Sequence, residues 1–172
     1  MAKKGATGTD TPAYTAENLF SSKHVSIALA TNIAGLSGAT PLAATSLKLK
    51  IDRKATPFVP LGTVDPATFN TGAWVVTGEF VLPYDGSTQH DLVFNNTIQA
   101  LQIQLKNTDV TIGTASNPAV TFTAPKARLN TWTLGNNLDQ RIDQTIGFKC
   151  ELDVTAGYML QAVLTNTKAT YA

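Results

Sequence analysis

Histidine, cysteine and clustered carboxylates are the side chains best suited to chemistry, and in this 172-residue chain they are few and scattered. His24 and His90 are the only histidines, and neither has a Cys or a second His at metal-ligand spacing. His90 is followed by Asp91, but neighbours in sequence rarely face each other, so a solvated pair on a helix edge is expected, not an oriented base. Cys150, the one cysteine, falls on the apolar side of a strand pattern and reads as a small buried hydrophobe. A single cysteine also excludes an intramolecular disulfide framework and a multi-cysteine zinc site. Asp139, Asp143, Glu151 and Asp153 gather near the C-terminal end. Alternation puts Asp143, Glu151 and Asp153 on one strand face, with Lys149 among them. There they can make cross-strand or subunit-to-subunit pairs, flank a cation, or be solvated. No GxGxxG or GxxxxGK[ST] loop is present, so nucleotide chemistry has no anchor. No catalytic, cofactor or metal site is expected.

Two further groups are chemically suggestive. Trp74, Trp132 and Tyr84 could form a stacking platform for sugars. Trp74 sits in an apolar face where core packing is expected, and Trp132, between Thr131 and Thr133, fits a core or an interface equally. Lys48, Lys50, Arg53 and Lys54 form the one basic stretch. It suits either a strand edge that discourages improper pairing or a contact with acidic residues of a neighbouring copy. The whole chain carries 13 basic and 12 acidic residues, a formal charge of +1, which argues against a basic nucleic-acid binder. Charged residues are only 15% of the chain, against ~25% in typical domains, and this suits a protein that hides much of its surface against partners. No apolar run approaches the ~20 residues of a membrane span, and no apolar stretch follows Lys3 and Lys4, so neither a membrane anchor nor a secretory signal is expected.

The elements that must position these residues are strands. Residues 1–22 are rich in Gly, Ala and Thr and read as a flexible N-terminal arm, leaving 23–172 as one β-sandwich domain. A period of two predicts strands at Phe20–Ala30, Thr45–Ile51, Ala73–Leu82, Leu101–Lys106, Val120–Thr123, Leu129–Leu134, Ile142–Val154 and Tyr158–Thr165. Pro57, Pro60 and Pro125 are expected to interrupt pairing, because proline lacks a backbone donor. Within Ile142–Val154, Ile146, Phe148, Cys150, Leu152 and Val154 share one face, and the last two strands read as a hairpin turned at Gly157. Ser87 is placed to cap one short helix reaching about Asn95, with Leu92 and Val93 turned inward. Some eight strands and one helix imply a mainly β sandwich or barrel-like fold.

The order of these segments carries a resemblance. A strand ending at Ile51-Asp52-Arg53 leads into Gly62-Thr63-Val64-Asp65-Pro66, then Val76-Thr77-Gly78-Glu79-Phe80, a polar helix-like turn and Ala100–Leu105. Pro125-Lys126 precedes the closing strands. Over roughly residues 45–166 this resembles the tail tube (major tail) proteins of long-tailed, siphovirus-like bacteriophages, although those usually carry a longer segment ahead of it. The resemblance implies a structural virion protein, not an enzyme: a β-sandwich with a flanking helix, six copies to a ring, and rings stacked into a tube. It further implies self-association, contact with other tail proteins and the tape measure, and transit of DNA without sequence-specific binding. The protein would be assembled in the host cytoplasm and located in the virion tail. The Asp143, Glu151 and Asp153 face is the candidate lumen lining, since a channel for DNA should avoid strong positive potential. Lys48, Lys50, Arg53, Lys54 and Trp132 are the candidate inter-subunit residues. The competing readings are another β-sandwich virion protein (capsid decoration or tail adaptor) and a carbohydrate-binding module using Trp132 and Tyr84.

Overall fold

Alternating apolar and polar residues give each strand one face to bury, and strands that share a buried face can curl around it. The computed structural model describes residues 19–135 and 141–167; the arm expected over residues 1–22 lies outside them as far as residue 18, and so does Asp139. Among the described residues seven strands are formed: β1 (Val25–Ala30), β2 (Ser46–Phe58), β3 (Thr68–Pro83), β4 (Ile98–Lys106), β5 (Ala119–Leu134), β6 (Asp143–Glu151) and β7 (Gln161–Thr165). One α-helix, α1 (Thr88–Phe94), and 3-10 turns at Ser22–His24 and Ala34–Gly38 complete the described elements. All strand pairs are antiparallel, in the order β1-β4-β5-β6-β3-β2, with β7 paired to β5.

The sheet curls into a half-barrel with one helix. Its concave face holds Ile27, Phe80, Leu101, Leu129, Ile146, Phe148 and Cys150, all essentially solvent-free. Each large side chain so buried contributes ~1.5–3 kcal/mol. The segment between β1 and β2 ties the two margins together: Leu42 N–H donates to the Ile27 carbonyl on β1, and Thr45 N–H donates to Val81 on β3. Leu92 and Val93 of α1 pack against the same core, as their spacing predicts. Ser87 precedes α1, but its hydroxyl makes no backbone cap; it donates to the Asp91 carboxylate at 3.0 Å.

Several expectations fail for identifiable reasons. Pro57 does not end its strand, because β2 is a margin strand and its outer side has no neighbour to which a missing N–H matters. Pro125 does not separate two strands either. Register passes from Gln99–Ala127 to Leu101–Ala124, so Ala100 faces both Pro125 and Lys126 in a bulge, and β5 runs through unbroken. Trp74 is half-exposed instead of buried, and Leu152 and Val154 lie beyond the end of β6, exposed. β7 does not form a hairpin with β6. It lies against β5 at residues 119–123, where β6 has already ended.

Gly78 shows how tightly the concave face is filled. It pairs with Phe148 across the ladder, and a Cβ there would lie 2.4 Å from the ring and 2.3 Å from the Lys48 carbonyl oxygen. The carbonyl is backbone and cannot step aside. Gly78→Ala is therefore expected to lower unfolding stability in urea by ~2 kcal/mol, within the ~1–3 range for overpacking. Gly38→Ala, where a Cβ meets nothing within 4 Å, should leave stability within ~0.5 kcal/mol.

Candidate functional site

The convex face is polar because every second residue of the same strands points outward. Lys48 and Lys50 on β2 pair in register with Glu79 and Thr77 on β3, Thr77 with Lys149 on β6, and Lys149 with Arg128 on β5. Cations and carboxylates interleave along this row. Arg128 grips Glu151 with two parallel bonds, Nε to Oε1 at 2.7 Å and Nη2 to Oε2 at 3.2 Å, and gives Nη1 to Asn96 Oδ1. That fork holds the Glu151 carboxyl below its ordinary range, and Glu151 raises Arg128 in return. Asp153 accepts from the Thr155 backbone N–H and pairs with Lys126 at 3.3 Å, and these contacts lower it too. Asp143 pairs with Arg141 at 2.9 Å. Each candidate lumen carboxylate thus has a cationic partner from its own chain.

The basic stretch is not brought to these acids. Lys48 pairs with Glu79 at 3.2 Å and Lys50 with Asp52 at 3.8 Å; Arg53 lies 5.3 Å over the Trp74 ring and reaches Thr71. Lys54 is exposed. Trp132 is committed to its own subunit: its indole N–H donates to Gln144 Oε1 at 3.0 Å, and its ring meets Tyr84 and His90 edge-on. Gln144, fully buried, in turn donates to the Pro83 carbonyl, which explains why a polar residue interrupts the apolar face of β6. Trp74 is apart from this cluster, so the three aromatic residues make no common platform. His90 stacks on Phe94 with centroids 4.1 Å apart and does meet Asp91, at 3.0 Å, on the helix edge. Among the described residues, no group of three or more His, Cys, Asp or Glu could hold a metal.

A feature missed in the sequence dominates the surface. β6 pairs with β3 only over Thr77–Pro83, so the rest of β3 and the second half of β2 pair with each other alone and project as a two-stranded arm. A bulge places Gly72 and Ala73 opposite Lys54 and bends it. Its outer part exposes Phe58, Val59, Leu61, Val64 and Phe69, with Leu61 and Val64 almost wholly in solvent. The signal was present: large apolar residues set among Pro60, Gly62 and Pro66, where no core strand needs them. At the base of the arm an apolar cleft of about 620 Å³ opens between Ile51, Trp74 and Val76 on one side and Met159, Leu160 and Ala162 on the other.

This architecture has counterparts among solved structures. The chain superposes on the tube-terminating cap of the anti-feeding prophage with a TM-score of 0.62 at 9% identity, covering 92% of this chain and 99% of the other. It matches a chain of the sheath-tube complex of an extracellular contractile injection system (PVC, extended state) at 0.58 and 12%, covering 86% and 94%. The SPP1 tail tube follows at 0.55 and 12%, covering 76% and 75%. At these identities the likeness defines the class of fold, a curled sheet shared with tube-associated subunits. No curated protein sequence matches. A profile of the family described as phage tail tube protein matches residues 1–150, and the chain belongs to that family. It is a structural protein of the phage tail tube. The family match reaches residue 1, so it takes in the leading segment that the motifs after residue 45 left out.

Two outcomes follow from the electrostatics. Burial pushes the Cys150 thiol up to about 11, so at pH 8 it is protonated and enclosed, and a thiol reagent should label it only after unfolding. Glu151 has a lower pKa folded than unfolded, so its stabilisation is full above about pH 4.3 and fades as pH falls through the folded value. Arg128→Met should lower the urea midpoint of unfolding at pH 7, and the gap to the native protein should narrow at pH 3.

Proposed function

We propose that the chain assembles into six-membered rings that stack into the tail tube, a conduit for DNA passing into the host cell. Family membership supports the tube, and the observation that carries the reading is the projecting arm. Among the described residues its backbone is paired on one side only, and its large apolar side chains find no cover. Such edges and patches are what natural β-proteins otherwise hide, and neighbouring copies can supply the missing partners. Arg53 and Lys54, on the arm, belong to the inter-subunit contacts of this reading, and Lys48 and Lys50 flank them. Other tail proteins and the tape measure meet the tube at its ends and in its bore, and assembly takes place in the host cytoplasm.

The convex face with Asp143, Glu151 and Asp153 lines the bore in this proposal. Binding to DNA rests on unpaired cations that displace counterions from phosphates, and here Lys126 and Arg128 are already engaged by Asp153 and Glu151. A lining of matched charges lets the polymer slide. A second reading, a protein that ends a tube instead of extending it, is favoured by the similarity to the tube-terminating cap.

Negative-stain microscopy of purified protein at high concentration separates these readings. Stacked rings of six are expected; single unstacked rings favour the terminator, and a monomer at every concentration sinks both. Leu61→Asp with Val64→Asp should abolish stacking while the secondary structure seen by circular dichroism is kept. The doubly substituted Glu151→Gln, Asp153→Asn protein should bind short duplex DNA at least tenfold more tightly than the native tube at low salt. Equal binding by the two would reject this face as a charge-matched lining.

A further inference from the structure

The turn at Ser22–His24, where the described chain enters β1, is held by a histidine with both ring nitrogens occupied. The ring is buried, with 2% of the side chain exposed. Its Nδ1 accepts the Ser21 backbone N–H at 3.0 Å, and its Nε2 meets Asp109 Oδ2 at 3.1 Å. An acceptor at Nδ1 and a carboxylate at Nε2 define a neutral ring carrying its proton on Nε2. Asp109 follows β4, and its own N–H donates to Asn107 Oδ1. Asn107, itself buried, gives its side-chain N–H to the Leu19 carbonyl at 3.1 Å. The Phe20 ring meets His24 edge-on. Residues 19–24 are thereby pinned to the turn after β4 by contacts that converge on one imidazole.

We propose that His24 is an acid-operated latch that frees the Ser21 N–H and loosens the turn at Ser21, while Leu19 stays tied to Asn107. A proton added to the ring goes to Nδ1, where the Ser21 N–H already points. Two donors then face each other at 3.0 Å, so the Ser21 N–H bond has to break, and the Ser21 hydroxyl oxygen, 3.4 Å from Nδ1, is left to accept from it. The charged groups facing the ring are Asp109, from the turn after β4, and Lys23, on its own turn. Asp109 and Lys23 also pair with each other. Acid therefore keeps the Nε2–Asp109 tie and removes the Ser21 tie. This inference is independent of the ring-and-tube reading.

Hydrogen–deuterium exchange with mass-spectrometric readout, on the full-length protein in whatever assembly it adopts, tests this directly. Exchange times are scaled for the intrinsic pH dependence, and the peptide covering Leu19–His24 is followed from pH 7.5 to pH 5. Its protection is expected to fall at least tenfold, while peptides from β5 and β6 keep theirs. In His24→Gln the same peptide should show no acid-dependent change, whatever its starting protection. Protection of the native peptide that stays constant to pH 5, or an acid response that persists in His24→Gln, overturns the proposal.

Discussion

A strand of sixteen residues that needs a hydrogen-bonding neighbour along both edges sets the terms for the rest of the molecule. β4 serves one edge of β5 over Ala119–Arg128; β6 serves the C-terminal half of the other, and β7 takes over where β6 stops. With both edges engaged, bulges at Pro125 and beside Asn130 twist the strand, and the sheet has to curl. Curling turns an apolar stripe on each strand into a shared interior. The convex side becomes a field of ion pairs, and the unmatched ends of β2 and β3 are carried outward. Core, charged face and arm are three results of one pairing problem.

Much of this was legible in residue order. Ile146, Phe148 and Cys150 alternate with Thr145, Gly147 and Lys149, and a strand is the one regular structure that separates them, so β6 and its buried face were readable. So were the two sides of β2 and the inward turn of Leu92 and Val93. What escaped depends on neighbours distant in sequence. A proline ends a strand only if its lost donor had a partner, and neither the margin position of Pro57 nor the bulge at Pro125 is written locally. Trp74 has an apolar pattern around it, yet the strand that would cover it, β6, ends before reaching its level. The last strand reads as a hairpin partner of β6 because the two are adjacent in the chain; the edge of β5 left open beyond β6 offered a fuller ladder.

The candidate site was legible in composition and less so in arrangement. The sequence placed Asp143, Glu151 and Asp153 on one side of a strand, but not the Arg128 and Lys126 side chains that reach them from β5. Those partners lie 23 and 27 positions away along the chain, counted from 151 − 128 and 153 − 126. They become neighbours only through sheet register. Gln144 makes a similar point. It interrupts an apolar stripe, and it is the buried acceptor for Trp132 and donor to the Pro83 carbonyl.

The projecting arm has a kinetic side. A lone two-stranded ribbon is marginal in water and frays readily, since neither of its faces rests on a core. Docking must therefore fix a fluctuating segment as well as join two surfaces, and that ordering cost weighs most heavily on the first encounter between free copies. Once a rim of ordered ribbons exists, each newcomer meets a prepared template. Subunits built this way polymerise only after a lag that shortens as concentration rises, and they add to a structure already begun faster than they start a new one.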